Sequence, residues 1–306
     1  MNQPKVSIIT LNWNGLENTI ECLESLKKIT YPNYEVIVVD NGSKGNDTQV
    51  LEDKFGDYIR LIKNDKNYGF TGGANIGMRY ALDTSNPDYL LLLDNDTVVD
   101  PEFLDEMVKV AGADPAIGIA VAKIYFYDEP DRLQFVSGKI DFWRGDLIGM
   151  RGVDRVLGRK EIDRGQHNSI KETEQIGFWC ALLKRKVVDS IGVFDEKYFF
   201  SWEGADYCLR TWEAGYKIVY IPRAKVWHKW QTANRIDGFL QYHNPRNRFR
   251  FMKQYATKWQ YRSFLIYFFG IHFWLATVYY LIWLRRPRVL LSFYKGVRDG
   301  LFNSGG

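Results

Sequence analysis

Three cysteines in 306 residues, Cys22, Cys180 and Cys208, are too few and too far apart for a disulfide framework. No C-x-x-C occurs, which argues against a thiolate zinc site and for a reducing compartment. The opening MNQPKVSIITLNW has no charged stretch followed by a signal-type apolar run, so the body is expected to stay in the cytosol. Also missing are a G-x-G-x-x-G fingerprint and a Gly-Lys-Ser/Thr after a glycine loop, so dinucleotide and P-loop readings lose their main support. No internal repeat or low-complexity tract is visible. Acid is missing from one long stretch: residues 238–298 hold 11 basic side chains and no carboxylate. Residues 1–237 hold 30 basic and 36 acidic side chains, a net of −6. An acidic body on a basic, aromatic tail points to an anionic membrane surface and away from nucleic acid.

What is present supports a real core: 46% of residues are apolar and 16% aromatic. Val6–Leu11, Tyr34–Val39 and Tyr89–Leu93 are apolar runs without alternation, the mark of strands buried on both faces. Ile59–Ile62 reads as a further strand, as does Ala116–Ile124. Between the first two runs, Leu16, Ile20, Leu23 and Leu26 recur at helical spacing, and Pro101 opens another amphipathic helix. Asn67–Gly77 reads as a glycine-rich loop running into a helix that ends near Leu82. Strands alternating with helices make this an α/β chain, with a mostly parallel sheet covered on both faces. Residues 125–170 are charged and irregular, either an acceptor-recognition insert or a solvated excursion.

Parallel strands end on one edge of a sheet, where open α/β folds bind ligands. Thr10 and Asn12, Asp40, and Asp94 with Asp96 end three such strands. Asp94-Asn95-Asp96 is either a solvated turn or a pair of carboxylates awaiting a divalent cation. Further on, Glu203 and Asp206 lie three apart at a helix start, so both share one face and both complement the helix dipole. His228, between Trp227 and Trp230, is either packed or a ligand.

Together VSIITLNWNG, VIVVDNGS, NYGFTGGANIG, LLLDNDT, the block ending VFDEKYFF, WEGADYCLR and AKVWH resemble a family 2 glycosyltransferase of GT-A fold. The likeness is to the rhamnosyltransferase and galactofuranosyltransferase-like branch and covers roughly residues 5–255. It implies an inverting, metal-dependent transfer from a UDP- or dTDP-sugar to a glycan or lipid-linked acceptor. It places Thr10, Asn12, Asp40, Asn67, Gly69, Phe70, Asn75 and Asp94 at the donor nucleotide. Asp94 and Asp96 match the D-x-D pair that holds Mn²⁺ or Mg²⁺, with His228 completing the set; an imidazole suits Mn²⁺ better. The acceptor is expected near Gly177, Trp179, Trp202 and Trp230. One departure stands out: relatives carry a second acid where this chain has Gly204, and that acid is their presumed general base. Glu203 or Asp206 is expected to take over. A protein that binds donor but turns it over poorly is the competing reading, and a nucleotidyltransferase is a third.

The expected layout is a GT-A catalytic domain over 1–237, with its nucleotide-binding half at 1–115 and its acceptor half at 116–237. A basic connecting helix follows over 238–262, then a membrane-associated tail over 263–306. Phe264–Leu284 is 21 residues free of Asp, Glu, Lys and Arg. As a helix it would cover about 31 Å, close to the hydrocarbon thickness of a bilayer. Basic residues flank it almost equally, six before and five after. Spanning the membrane, lying in its interface as a hairpin, and packing on the domain all remain open. The catalytic domain is expected on the cytoplasmic face.

Overall fold

The computed structural model describes residues 3–150, 160–229 and 238–302. Strands β1 (Val6–Asn12), β2 (Tyr34–Asp40), β3 (Ile59–Lys63) and β4 (Tyr89–Leu93) pair in parallel in the order β3-β2-β1-β4. Between β1 and β4 in the chain lie α1 (Leu16–Leu26), α2 (Asp47–Phe55) and α3 (Gly69–Thr84). After β4 come a short β5 (Thr97–Val99), α4 (Phe103–Ala113) and the long, wholly buried β6 (Ile117–Phe126).

The irregular segment folds as β7 (Arg132–Phe135), the β8–β9 hairpin (Ser137–Asp141 and Asp146–Met150) and β10 (Glu161–Ile162). Beyond β11 (Lys171–Glu172), β12 (Cys180–Lys184) inserts antiparallel between β4 and β6. Then follow α5 (Arg185–Ile191), α6 (Glu203–Glu213) and β13 (Lys217–His228), which runs parallel to β6. AKVWH is thus the end of a longer strand that has an irregularity between Ile221 and Lys225.

Alternation along the buried strands divides their side chains between two cores. Ile8, Val36, Val38 and Leu91 face α1, α2 and α4; Ile9, Ile37, Val39 and Leu92 face α3 and α6. A run of apolar residues without polar interruption is what two covered faces require. Helix α2 was absent from the sequence reading because its core stripe is Asp47, Leu51 and Phe55, a four-residue repeat with one polar member. The expected glycine loop is mostly helix. Built on Gly73 and Gly77, a Cβ would fall 2.6 Å from Leu11 and 2.5 Å from Ile9, so these glycines let α3 lie directly on β1.

The C-terminal part is helical: α7 (Gly238–Tyr255), α8 (Lys258–Trp283, α-helical with two π-helical stretches) and α9 (Pro287–Phe302). These form a third core in which Phe249, Phe251, Phe264, Phe268 and Phe293 meet Tyr198 and Trp202 of the body. Helix α8 is the one helix among the described residues long and apolar enough to cross a membrane.

Candidate active site

The carboxyl ends of β2, β1 and β4 lie side by side, and a cleft of about 580 Å³ opens above them. Asp94 follows β4 directly and its backbone N–H donates to the Trp179 carbonyl at 2.9 Å, which holds the strand end firm. The pairing of β5 with β13 sets His228 opposite Thr97, and so beside Asp96. His228 Nε2 stands 3.1 Å from Asp96 Oδ1. On the other side of the ring, Nδ1 lies 2.8 Å from the Gln134 amide nitrogen and 3.0 Å from its oxygen. A ring anchored in this way through one nitrogen turns the other toward a fixed point.

One ligand atom each from Asp94, Asp96 and His228 falls within 4.8 Å of the others. Two carboxylates and a buried imidazole are a hard-to-borderline donor set that fits a divalent cation such as Mn²⁺ or Mg²⁺.

Across the cleft, Ser201 and Trp202 both have φ of 72°, the left-handed region that side chains rarely adopt. Two consecutive residues held there store roughly 1–3 kcal/mol each, and such strain gathers at functional sites. Asn247 of α7 holds the turn, its amide donating to the carbonyls of Phe200 and Ser201 at 2.8 Å each. Trp202 Nε1 donates to Asn244 Oδ1 at 2.8 Å. The next residue, Glu203, opens α6 and lines the cleft. Its Oε2 is sealed from water and has no hydrogen-bond partner among the described residues. Burial pushes its carboxyl up to about 7, and the nearby charge of Asp94 pushes the same way.

Asp206 faces elsewhere. It is 1% exposed, with Arg210 Nε at 2.9 Å and the Tyr255 hydroxyl donating at 2.6 Å, so it ties α6 to α7. Of the two expected acids, only Glu203 reaches the cleft. Gly204 packs under Phe178: a Cβ there would lie 3.0 Å from that ring and 3.4 Å from the Ile176 carbonyl.

Of the residues expected at the donor, Asn67, Gly69, Phe70 and Asp94 line the cleft. Thr10, Asn12, Asp40 and Asn75 lie behind the lining. Thr10 is wholly buried, and Asp40 is 2% exposed, accepting from Asn12 at 2.7 Å and from the Ser43 N–H at 2.9 Å. Asn75 exchanges hydrogen bonds with the Phe194 backbone, 2.9 Å each way, and so fixes the segment leading to the strained turn. Gly177, Trp179 and Trp202 line the cleft; Trp230 lies outside the described residues.

Sequence reasoning missed Asn41, Gln134, Asn244 and Asn247. Asn41 binds Asn67 and the Gly69 carbonyl and accepts from the Tyr68 N–H, organising the entry to α3. Its one signal was the strand-end Asp40-Asn41-Gly42-Ser43. The other three sat in stretches whose role only folding reveals.

The family model described as glycosyl transferase family 2 matches residues 7–192. The O-antigen biosynthesis protein RfbC of Myxococcus xanthus is 28% identical over 243 residues, which is 77% of this chain and 18% of that protein. Galactofuranosyltransferase GlfT2 of Mycolicibacterium smegmatis is 24% identical over 228 residues, 70% of this chain. The chain spans 35% of that second relative's length, so both are much longer proteins. Among solved structures, that of GalNAc-T7 with UDP, GalNAc and Mn²⁺ shares the fold at a TM-score of 0.67 and 15% identity. The match covers 99% of this chain and 57% of that one, and the shared fold is GT-A.

Proposed function

The chain belongs to glycosyl transferase family 2, and on that premise we propose that it moves one sugar, with inversion, from a nucleotide diphosphate donor to a hydroxyl of a glycan or lipid-linked acceptor. The observation that carries this reading is the meeting of the Asp94–Asp96–His228 cluster with the Glu203 carboxyl, one of whose oxygens is sealed from water, in one cleft. When bound, Mn²⁺ or Mg²⁺ supplies Lewis-acid neutralisation of the charge that develops on the departing diphosphate. Asp94, Asp96 and His228 are the residues that would hold it. Asn67, Gly69 and Phe70 flank the donor on the α3 side. Glu203 accepts the proton of the attacking hydroxyl as it adds to the face opposite the diphosphate, through a transition state with oxocarbenium character. A carboxyl near 7 is matched to that task, since it is half ionised at working pH and strongly basic for its kind.

The motif resemblance favours a UDP- or dTDP-sugar donor and a rhamnosyl- or galactofuranosyl-like branch, and the likeness to proteins named for O-antigen biosynthesis and galactofuranosyl transfer supports a cell-envelope glycan as product. On this reading the catalytic body of residues 1–237 works at the cytoplasmic face of a membrane, attached by the helices that follow.

A donor-binding partner with little turnover is the second reading, motivated by Gly204. A Cβ on that glycine would press on the Phe178 ring at 3.0 Å, while Glu203 next to it already brings a carboxyl to the cleft. Purified protein incubated with labelled UDP-, dTDP- and GDP-sugars should release nucleoside diphosphate only when a divalent cation is present. Asp96→Ala should lower that release by at least about a hundredfold. Undiminished transfer in the presence of chelator would remove the metal role; pyrophosphate release would point to nucleotidyl transfer, and binding without turnover to the second reading.

A further inference from the structure

A second cavity of about 580 Å³ lies beside the catalytic cleft, between α7, α8, α9 and the β8–β9 hairpin. Trp202, the residue before Glu203, and its hydrogen-bond partner Asn244 line both cavities and form the wall they share. The outer lining comes from α8: Leu275, Val278 and Trp283 belong to this cavity and are also 65%, 52% and 80% exposed. The mouth is therefore built into the apolar outer face of that helix.

Arg248 lines the inner part and is 5% exposed. One terminal nitrogen donates to the Arg144 carbonyl at 2.8 Å, the other lies 3.5 Å from His272 Nε2, and Nε has no partner. The guanidinium sits over the Phe264 and Phe268 rings, 5.4 Å from each centroid. Among the described residues no carboxylate comes within 4.0 Å of it. Asp146, which borders the same cavity, and Asp141 act on Arg248 only at longer range. Burial of a cation with no counter-charge in contact is costly and is normally offset by an anion.

We propose that this cavity takes the phosphate-bearing end of a long-chain lipid acceptor, with its phosphate at Arg248, its chain leaving past Leu275, Val278 and Trp283 into the bilayer, and its reacting hydroxyl reaching Glu203 past Trp202. This deepens the sugar-transfer reading by naming the acceptor class, and it rests on that reading for the last step only. The geometry of α8 agrees. Tyr261, Phe264, Leu265, Phe268, Phe273, Ala276 and Tyr280 pack inward at helical spacing while the opposite face is apolar and exposed. In this arrangement α8, packed on the basic α7 and α9, would lie in the plane of the membrane, with the cavity mouth at the level of the lipid chains.

The test is binding of decyl phosphate, decanol and inorganic phosphate to the full chain in phosphatidylcholine nanodiscs. Decyl phosphate should saturate one site, with decanol at least about tenfold weaker and inorganic phosphate without measurable binding, because charge and chain must act together. Arg248→Gln should weaken decyl phosphate by at least about tenfold. Leu275→Trp, an exposed substitution that narrows the mouth without touching Arg248, should weaken it too. Binding of a nucleoside diphosphate with Mn²⁺ should change less than about twofold in either variant, since neither Arg248 nor Leu275 lines the catalytic cleft. Equal binding of decanol and decyl phosphate, saturation by inorganic phosphate alone, or indifference to Leu275→Trp would overturn the proposal. A chain that saturates with decyl phosphate but neither binds nor cleaves a sugar nucleotide would uphold the cavity and sink sugar transfer.

Discussion

Glu203 occupies the first position of α6 with one carboxyl oxygen closed off from water, and that placement has two measurable consequences. Its folded-state pKa is raised from 4.5 to about 7, so the folded protein favours the protonated form more than the unfolded chain does. For such a group the stabilising contribution is complete below pH 4.5 and is lost as pH rises toward 7. Glu203→Gln should therefore match the parent in stability at pH 4 and exceed it by about 2 kcal/mol at pH 8, read from denaturant midpoints. Activity runs the other way. A general base must be ionised, so kcat/KM should climb with pH through a midpoint near 7. In Glu203→Gln that limb should vanish, with a loss of about 10²–10⁴-fold. An unchanged profile in the variant would remove Glu203 from the reaction. A bound cation would offset part of the Asp94 contribution, but burial is the larger cause and stays.

At the scale of elements, the site is assembled by pairings between parts of the chain far apart in sequence. The β5–β13 ladder brings His228 to Asp96, and α7 brings Asn244 and Asn247 to the turn before α6. Asn247 is wholly buried, and its amide is what the described structure offers to both left-handed-turn carbonyls. Asn247→Ala leaves those carbonyls without that donor at a cost of about 1–3 kcal/mol. Its larger effect should be on Glu203 geometry. We expect kcat to fall at least about tenfold while KM for the donor stays within about twofold, because the donor side of the cleft is held by α3 and β4. Equal losses in both constants would make Asn247 a general stabiliser only. The sequence showed β1, β2, β4 and α1 plainly, because a doubly buried strand and an amphipathic helix each leave a periodic trace. It hid α2, whose inner face includes an aspartate, and it disguised α3 as a loop, because glycines chosen for close packing look the same as glycines chosen for a turn.

For the whole molecule, the question is how the acidic body meets a surface. The outer face of α8 exposes Ile266, Ile271, Trp274, Leu275, Ile282 and Trp283, while Lys258, Arg262, Arg285 and Arg286 sit at its ends. Apolar area of this extent in a soluble protein marks an interaction site. Because the other face of α8 is packed against charged helices, both ends should lie on one side of the bilayer. Lys258→Cys and Arg285→Cys are the probes, since the three native cysteines are buried. With protein reconstituted into sealed anionic vesicles, an impermeant thiol reagent added outside should label both positions to a similar degree. Labelling of only one of the two would establish a spanning helix instead.

Read alone, the sequence determined the α/β class, the strand ends where polar groups gather, the paired aspartates, and the split between an acidic body and a basic apolar tail. These are local quantities, carried by periodicity, composition and spacing, and each survives without knowledge of what lies opposite. Tertiary structure decided which acid faces the cleft, since Glu203 and Asp206 share a helical turn and differ only in what packs against them. It also decided that Asp40 and Asn75 brace the lining from behind, and that the tail closes a second cavity around Arg248. Burial and partner choice are properties of contacts between distant segments, and no single stretch of chain contains them.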